Sequence, residues 1–487
     1  MNLRTYSFGH NFSPPHFPKP AETMFIIKLL LALLSILPCF QGSLAWKQCP
    51  TGSGGGVCPD QDTCCPTGIP GVSSCITNQM QDPNVQGQCC DQSTGCGFGY
   101  ACAVNSTSGE PYCQLQPGAP SALTYDLPRY KLFPVTNPSM IQQIYGFPMG
   151  SFQFAYYSNM GNLITKDSQT LNRHAKVETA VIVIHGADFE ADDYLLAIQS
   201  SIPQSSNASS ILIVAPFFVP PEDKSVSTTD GSRELLLWAN KATVPSMRHS
   251  YRYGADAINA PISSYATMDA VIKFLSVAST QFLSLKRVVV VGHSAGGQFV
   301  HRWALLSQSP VWGYSTSLYS SGNGTSGHLY RALDIRVVVA NPKSFCYLNA
   351  RRLLGGNLTL PFASQVQACP RYNMWEFGLD DGGELICPYR DSALGQLSRS
   401  DVANHYIERN VVYLAGQFDT ELQSDGCATL DFQGTTRLER SQRYFESLSQ
   451  MFGRKIHHWL LAEKCPHDHW LMFQSEAGIS ALFGIGL

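Results

Sequence analysis

The stretch from Lys286 to Leu306, KRVVVVGHSAGGQFVHRWALL, constrains this chain more than any other. Val288, Val289, Val290 and Val291 form a β-branched run without polar alternation, which suits a parallel strand covered on both faces. Gly292, Ser294 and Gly296 then spell G-x-S-x-G, and from Gln298 the residues Phe299, Trp303, Ala304 and Leu306 recur roughly at helical spacing. A serine between a strand and a helix fits a nucleophile elbow, a sharp turn in which small neighbours relieve the crowding. Gly292 and Gly296 are those neighbours, and the N–H of Ala295 is placed to donate to an oxyanion at the positive end of the following helix. G-x-S-x-G alone arises by chance in many chains; the strand before it and the helix after it make Ser294 the candidate nucleophile.

Around this stretch, apolar runs alternate with helical patterns. SFQFAYYS, TAVIVIHG, ILIVAPFF, RVVVVGHS, IRVVVANP and VVYLAGQFD read as strands, and Ala191 to Ile202 and Ser264 to Phe282 as helices. That order predicts an α/β-hydrolase fold, a mostly parallel sheet with helices on both faces. After the strand ending at Ile184 come His185, Gly186, Ala187 and Asp188; a Gly there lets the backbone turn its N–H groups toward the nucleophile, with Ala187 the expected donor and Gly186 beside it. His185 is expected to shape this turn by a hydrogen bond, and Asp192 and Asp193 to begin a helix with no further role.

In this fold the order is serine, acid, histidine. Asp419 follows the strand Val411 to Ala415 and is the expected acid, with Asp425 and Asp431 as nearby rivals. LAEKCPHDHWLMF offers His467 and His469 as the base, and spacing alone leaves the two equal; Asp468 reads as a loop-end or helix-start carboxylate. QGTTRLERSQRYF is expected to be helical, with Arg437 and Arg440 on its solvated or ion-paired face.

Sixteen Cys point to an oxidising compartment. MFIIKLLLALLSILPCFQGSLAW reads as a secretory leader cleaved before Trp46; its apolar run is short for a bilayer, so a retained anchor is the minor alternative. Residues Met1 to Glu22 are polar and Pro-rich, which leaves Met1 and Met24 both open as initiators. Sequons at Asn105, Asn207, Asn323 and Asn357 are compatible with secretion. Charged residues are 14% of the chain and the net charge is -3, so no basic surface for nucleic acid is implied. The organisation expected is an extension and leader over 1–45, a Cys-rich module over 46–116, a Pro-rich linker over 117–145, and a large domain over 146–487 with a cap inserted at 342–410.

The Cys-rich module holds ten Cys between Cys49 and Cys113 and few large apolar residues, so cross-links must hold it. Its strings CPDQDTCCP and CCDQSTGCGFGYAC resemble the granulin module, although a granulin repeat has twelve Cys with four adjacent pairs and only two pairs are adjacent here. Rigid spacer and binder of a glycan, surface or partner are the two readings of this module. The remaining Cys are Cys346, Cys369, Cys387, Cys427 and Cys465; the odd count leaves at least one outside any pairing in the domain, and a structural disulfide is expected for Cys465. Tyr347, Tyr372, Trp375 and Phe377 in the cap either line a pocket or, more simply, form its core.

HGADFEADDYL, SSYATMDAVIKFL, VVVVGHSAGGQFVHRWAL, VVVANPKSF, CPRYNMWEFGL, VVYLAGQFDT, CATLDFQGTTRLER and PHDHWLMF, in this order through most of Val181 to Leu487, resemble secreted or cell-surface α/β-hydrolases. In such proteins the final motif reads Gly-His-Asp before a helix carrying Met-Phe, which aligns with Pro466, His467 and Asp468, then Met472 and Phe473; this implies His467 as the base and supports Ser294 and Asp419. The expected activity is hydrolysis of a small or polymeric carboxylic ester without metal or organic cofactor. A peptidase or amidase of the same fold is the enzyme alternative, and a non-catalytic scaffold acting through the Cys-rich module is the alternative of another class.

Overall fold

In the computed structural model the residues described are 143–484, apart from 224–225, 229–232, 240–248, 278–280, 308, 310–311, 313–318, 321–328, 331–332, 382–386 and 423–425, together with the backbone of short strands between 46 and 131. In the latter region Thr63–Pro66 pairs antiparallel with Ser73–Ile76, and Tyr100–Val104 with Pro111–Leu115. The expected leader, the disulfide pairing expected of the Cys-rich module, and the sequons at Asn105 and Asn323 lie outside the described residues.

The large domain is built on strands β1 (Tyr145–Met149), β2 (Phe152–Ser158), β3 (Thr179–Ile184), β4 (Ile211–Phe217), β5 (Arg287–His293), β6 (Asp334–Ala340), β7 (Asn410–Gly416) and β8 (His458–Ala462). They lie in the order β1-β2-β4-β3-β5-β6-β7-β8, and the two-residue strand Glu234–Leu235 adds to β2. β1, β2 and β4 pair antiparallel, and every pairing from β4 through β3 to β8 is parallel. On β5, Val288 to Val291 sit opposite Ala180 to Val183 of β3 and Ile335 to Val338 of β6. All four valines are fully buried. Each such side chain contributes about 1.5–3 kcal/mol relative to exposure, so the run is stable only in the middle of a sheet with both faces covered.

Alternation along the strand divides those valines between two layers. Val288 and Val290 join the main core with Met268 and Val271 of α2 (Ser264–Ser276), Phe299 and Trp303 of α3 (Ala295–Leu306), Tyr406 of α4 (Arg399–Ile407) and Tyr444 of α5 (Arg437–Phe452). Val289 and Val291 point to the other face, where α1 (Ala191–Ser200) lies against β3 and β4, and α7 (Glu476–Phe483) against β7 and β8. The short α6 (His469–Gln474) packs on α1 and α7. This is the α/β-hydrolase fold.

A directed hydrogen-bond path crosses the main core. The Cys346 amide donates to His301 Nε2 at 3.0 Å, so this neutral imidazole carries its proton on Nδ1 and donates to Tyr406 Oη at 3.1 Å. Tyr406 then donates to Tyr413 Oη at 2.6 Å, Tyr413 to His457 Nδ1 at 3.1 Å, and His457 Nε2–H to the Tyr406 carbonyl at 3.0 Å. Burial keeps both imidazoles neutral, His457 down at about 4 and His301 well below the ordinary histidine range.

Several expectations need correction. Cys465 forms no disulfide: it is a buried thiol, as are Cys346 and Cys387, and the bond present among the described residues joins Cys369 to Cys427. Arg440 is not on a solvated face; it is fully buried and donates to the carbonyls of Gly434 and Lys343. Arg437 is buried as well, and ion-paired. Within 342–410, Tyr347 and Trp375 belong to the main core, while Tyr372 and Phe377 pack beside the disulfide with Ala428 and Phe432. All four aromatics therefore serve packing, the simpler of the two readings given for them, though Tyr347 and Trp375 do so in the main core.

Candidate active site

The turn after β5 is strained where chemistry would need it. Ser294 has φ 57° and ψ -116°, a left-handed conformation that an L-residue adopts only when its surroundings impose it. Two contacts impose it. A Cβ on Gly292 would lie 2.2 Å from the Gly296 carbonyl, and one on Gly296 would lie 2.1 Å from the Ile184 carbonyl, so both positions exclude any side chain. The Ser294 amide is held at 3.0 Å by the Ala340 carbonyl at the end of β6.

That close approach of Gly296 to β3 sets the elbow beside the turn at His185, Gly186 and Ala187. His185 is fully buried, accepts from the Phe218 amide on Nε2 at 3.2 Å, and therefore donates from Nδ1 to the Gly186 carbonyl at 2.8 Å. Tyr251 Oη donates to the same carbonyl at 2.7 Å. Burial holds His185 neutral, with its proton affinity lowered to about 4. His185 is thus the shaping residue expected of it. The Gly186 carbonyl is drawn toward His185 and Tyr251, and Ala187 follows on the turn. Ala295 is the first residue of α3, a position whose N–H has no acceptor within the helix.

The acid and base approach from β7 and β8. Gln417 N donates to the Ala462 carbonyl and Phe418 N to the Cys465 carbonyl, both at 2.9 Å, so the turn carrying Asp419 is bonded to the loop carrying His467. Gly416 is required there, since a Cβ would lie 2.5 Å from the Cys465 carbonyl. His467 Nδ1 lies 2.7 Å from Asp419 Oδ2, and Nε2 lies 2.9 Å from Ser294 Oγ. The other Asp419 oxygen accepts from Arg437 at 3.2 Å. The Asp419 side chain has no exposed surface and that of Arg437 only 9%, whereas the His467 side chain is 25% exposed. The His467 imidazole thus reaches solvent while the carboxylate behind it does not.

Of the rivals, Asp431 is exposed and ends the short helix Cys427–Leu430, away from His467, and Asp425 lies outside the described residues. His469 points elsewhere: its Nε2 lies 2.7 Å from Asp193 Oδ2, with Trp470 Nε1 donating to the same carboxylate at 3.0 Å. Asp193 therefore does more than begin α1, which corrects the expectation for it. Asp468 caps α6 by accepting from the Leu471 amide at 2.8 Å. Three neighbours carry no signature in the sequence: Arg437 behind Asp419, Tyr251 behind the Gly186 carbonyl, and His293, whose ring centroid is 4.5 Å from that of His467. Only the position of His293 inside G-x-S-x-G could have marked it. Among the described residues, no group of three or more His, Cys, Asp or Glu side chains is arranged to hold a metal ion.

No protein-family model and no curated protein sequence matches this chain. Among solved structures it is similar to poly(aspartic acid) hydrolase-1 from Sphingomonas sp. KT-1, at 15% identity over 68% of this chain and 95% of that one, with a TM-score of 0.40. It is also similar to LpqC, a poly(3-hydroxybutyrate) depolymerase from Bordetella parapertussis, at 18% identity over 68% and 85% of the two chains, with a TM-score of 0.39. A third is the siderophore hydrolase EstA from Aspergillus nidulans, at 12% identity over 70% and 91%, with a TM-score of 0.28.

Proposed function

We propose that the chain is a serine hydrolase that cleaves carboxylic esters through an acyl-enzyme. The observation that carries this reading is the unbroken path from Ser294 Oγ through both nitrogens of His467 to the buried Asp419 carboxylate, at 2.9 and 2.7 Å. Asp419 accepts from Nδ1–H, which fixes the tautomer and leaves the Nε2 lone pair for the serine proton. As His467 takes that proton, Ser294 Oγ forms a bond to the carbonyl carbon and the π pair moves onto the oxygen. The N–H groups of Ala187 and Ala295, with Gly186 beside them, are the donors assigned to this oxyanion. Collapse breaks the bond to the alcohol oxygen, which leaves with the proton from Nε2. Water then enters, loses a proton to His467 and repeats the sequence on the acyl-enzyme, releasing the acid and returning the proton to Ser294.

The chain is further assigned to the secretory route. The apolar stretch after Met24, the Cys-rich module and the Cys369–Cys427 disulfide in the large domain all support that assignment. The module is either a spacer or the part that binds a surface, glycan or partner.

The test is reaction of the purified chain with a fluorophosphonate, followed by hydrolysis of paired ester and amide substrates. Labelling is expected for the native protein and absent from Ser294→Ala and His467→Ala. A folded native protein that fails to label sinks the reading, and amides cleaved as fast as esters would replace esterase by amidase.

A further inference from the structure

Tyr194, on the first turn of α1, touches all three segments on which the candidate site depends. Its hydroxyl lies where a Cβ on Gly186 would come within 2.6 Å, so it packs directly on the turn assigned to the oxyanion. The same oxygen is 3.3 Å from Nδ1 of His293, the residue before Ser294. On the other side, the ring of His469, two residues after His467, stacks on the Tyr194 ring with centroids 4.0 Å apart and planes 4° from parallel. The preceding residue, Asp193, binds His469 Nε2 at 2.7 Å and Trp470 Nε1 at 3.0 Å.

We propose that Asp193, Tyr194 and His469 form a positioning cluster that holds the Gly186 turn, the Ser294 elbow and the His467 loop in one fixed arrangement. This rests on the Ser294–His467–Asp419 reading. The reason for such a cluster is geometric: oxyanion donors and base come from separate loops, and an error of about 1 Å between them costs roughly 10²-fold in rate. A neutral stack would hold position in one direction only. The pair to Asp193 adds a second, directional tie in a largely buried site.

The groups facing the His469 imidazole are Asp193, Glu190 and Tyr194 from α1, Asp468 from its own segment and His293 from β5. Burial opposes its charge, yet the hydrogen bond and charge of Asp193, helped by Asp468 and Glu190, outweigh burial and raise its proton affinity above the ordinary histidine range. Burial, then the Asp193 charge, pushes Glu190 up to about 7, so Glu190 changes charge near neutrality beside this pair.

The full-length protein, with p-nitrophenyl butyrate and a fluorophosphonate as probes, provides the test across about pH 6–10. Asp193→Asn is expected to lower kcat at least about tenfold while KM moves less than about threefold, with labelling slowed in step with kcat. The native protein should lose activity as pH rises through the His469 titration, and His469→Gln, which keeps a donor but cannot change charge, should lack that alkaline fall. Tyr194→Phe, which keeps the stack on His469 but removes the oxygen set against the Gly186 turn and His293, should also lower kcat with KM little changed, by less than Asp193→Asn. Native kcat in Asp193→Asn, or an unchanged alkaline limb in His469→Gln, overturns the cluster while leaving the triad standing. Should Asp193→Asn fail to fold, His469→Gln decides by the same limb. A native protein that does not label at all overturns the triad and this cluster with it.

Discussion

Asp419 shares its two oxygens between a histidine and an arginine, and neither the carboxylate nor the guanidinium has appreciable access to water. Removing one partner of such a pair leaves a buried charge uncompensated, which costs about 3–5 kcal/mol. Arg437→Met is therefore expected to lower the unfolding free energy by that much, read as a fall in the urea midpoint at constant slope; an unchanged midpoint would mean that solvent already compensates Asp419. This arginine also shows what a sequence reveals at the scale of one residue. A motif and a chain order pointed to Ser294 and Asp419, whereas spacing left His467 equal with His469 and only the resemblance in PHDHWLMF favoured it. Arg437 was not legible, since nothing in TTRLER says that its head reaches a carboxylate 18 residues earlier. His467 and His469 differ only in which neighbour each meets, Asp419 or Asp193, and spacing along the chain carries no such information.

At the scale of elements, the strands foreseen were those buried on both faces, β3 to β7, together with aromatic β2. The two not foreseen are the edges. β1 begins at Tyr145, where the expected linker ends, and Gly146 and Pro148 hide its strand character; an edge strand tolerates that proline because one side needs no ladder. β8 is short and half exposed, pairing only with β7. The disulfide was equally hidden: five cysteines in the large domain gave no pairing, and the one formed joins two short segments beside a separate apolar cluster of Tyr372, Phe377, Ala428 and Phe432. It spans 58 residues, for which loop-closure entropy predicts up to about 4 kcal/mol. The Cys369→Ala/Cys427→Ala double variant should lose about 2–4 kcal/mol in chemical denaturation. A loss below measurement would show that the cluster holds these segments without the bond.

The whole molecule carries a pH dependence set by buried imidazoles. Burial holds His185 and His457 at about 4, while in the unfolded chain each titrates near the ordinary value of about 6.5. Between those values the unfolded chain binds protons that the native one refuses. Stability from these residues is complete above about pH 6.5, falls as pH drops toward about 4, and changes no further below that. His469 has the opposite sign: its contribution is present at low pH and is lost as pH rises through its raised native value. Thermal melts should therefore fall between pH 6.5 and pH 4, less steeply in His457→Gln. A flat Tm across that interval would refute the assignment of neutral buried imidazoles.

The position of the elbow along the chain also has a consequence in time. Ser294 precedes its histidine by 173 residues and Asp419 precedes it by 48. During synthesis, β5 and its turn emerge long before β7, β8 and the loops that bring the acid and base. A ribosome-bound chain ending before β7 thus carries Ser294 with neither Asp419 nor His467, and on the proposed reading reactivity at Ser294 arises only when the last parallel pairing closes. On that reading, the hydroxyl is a clock for the final step of folding.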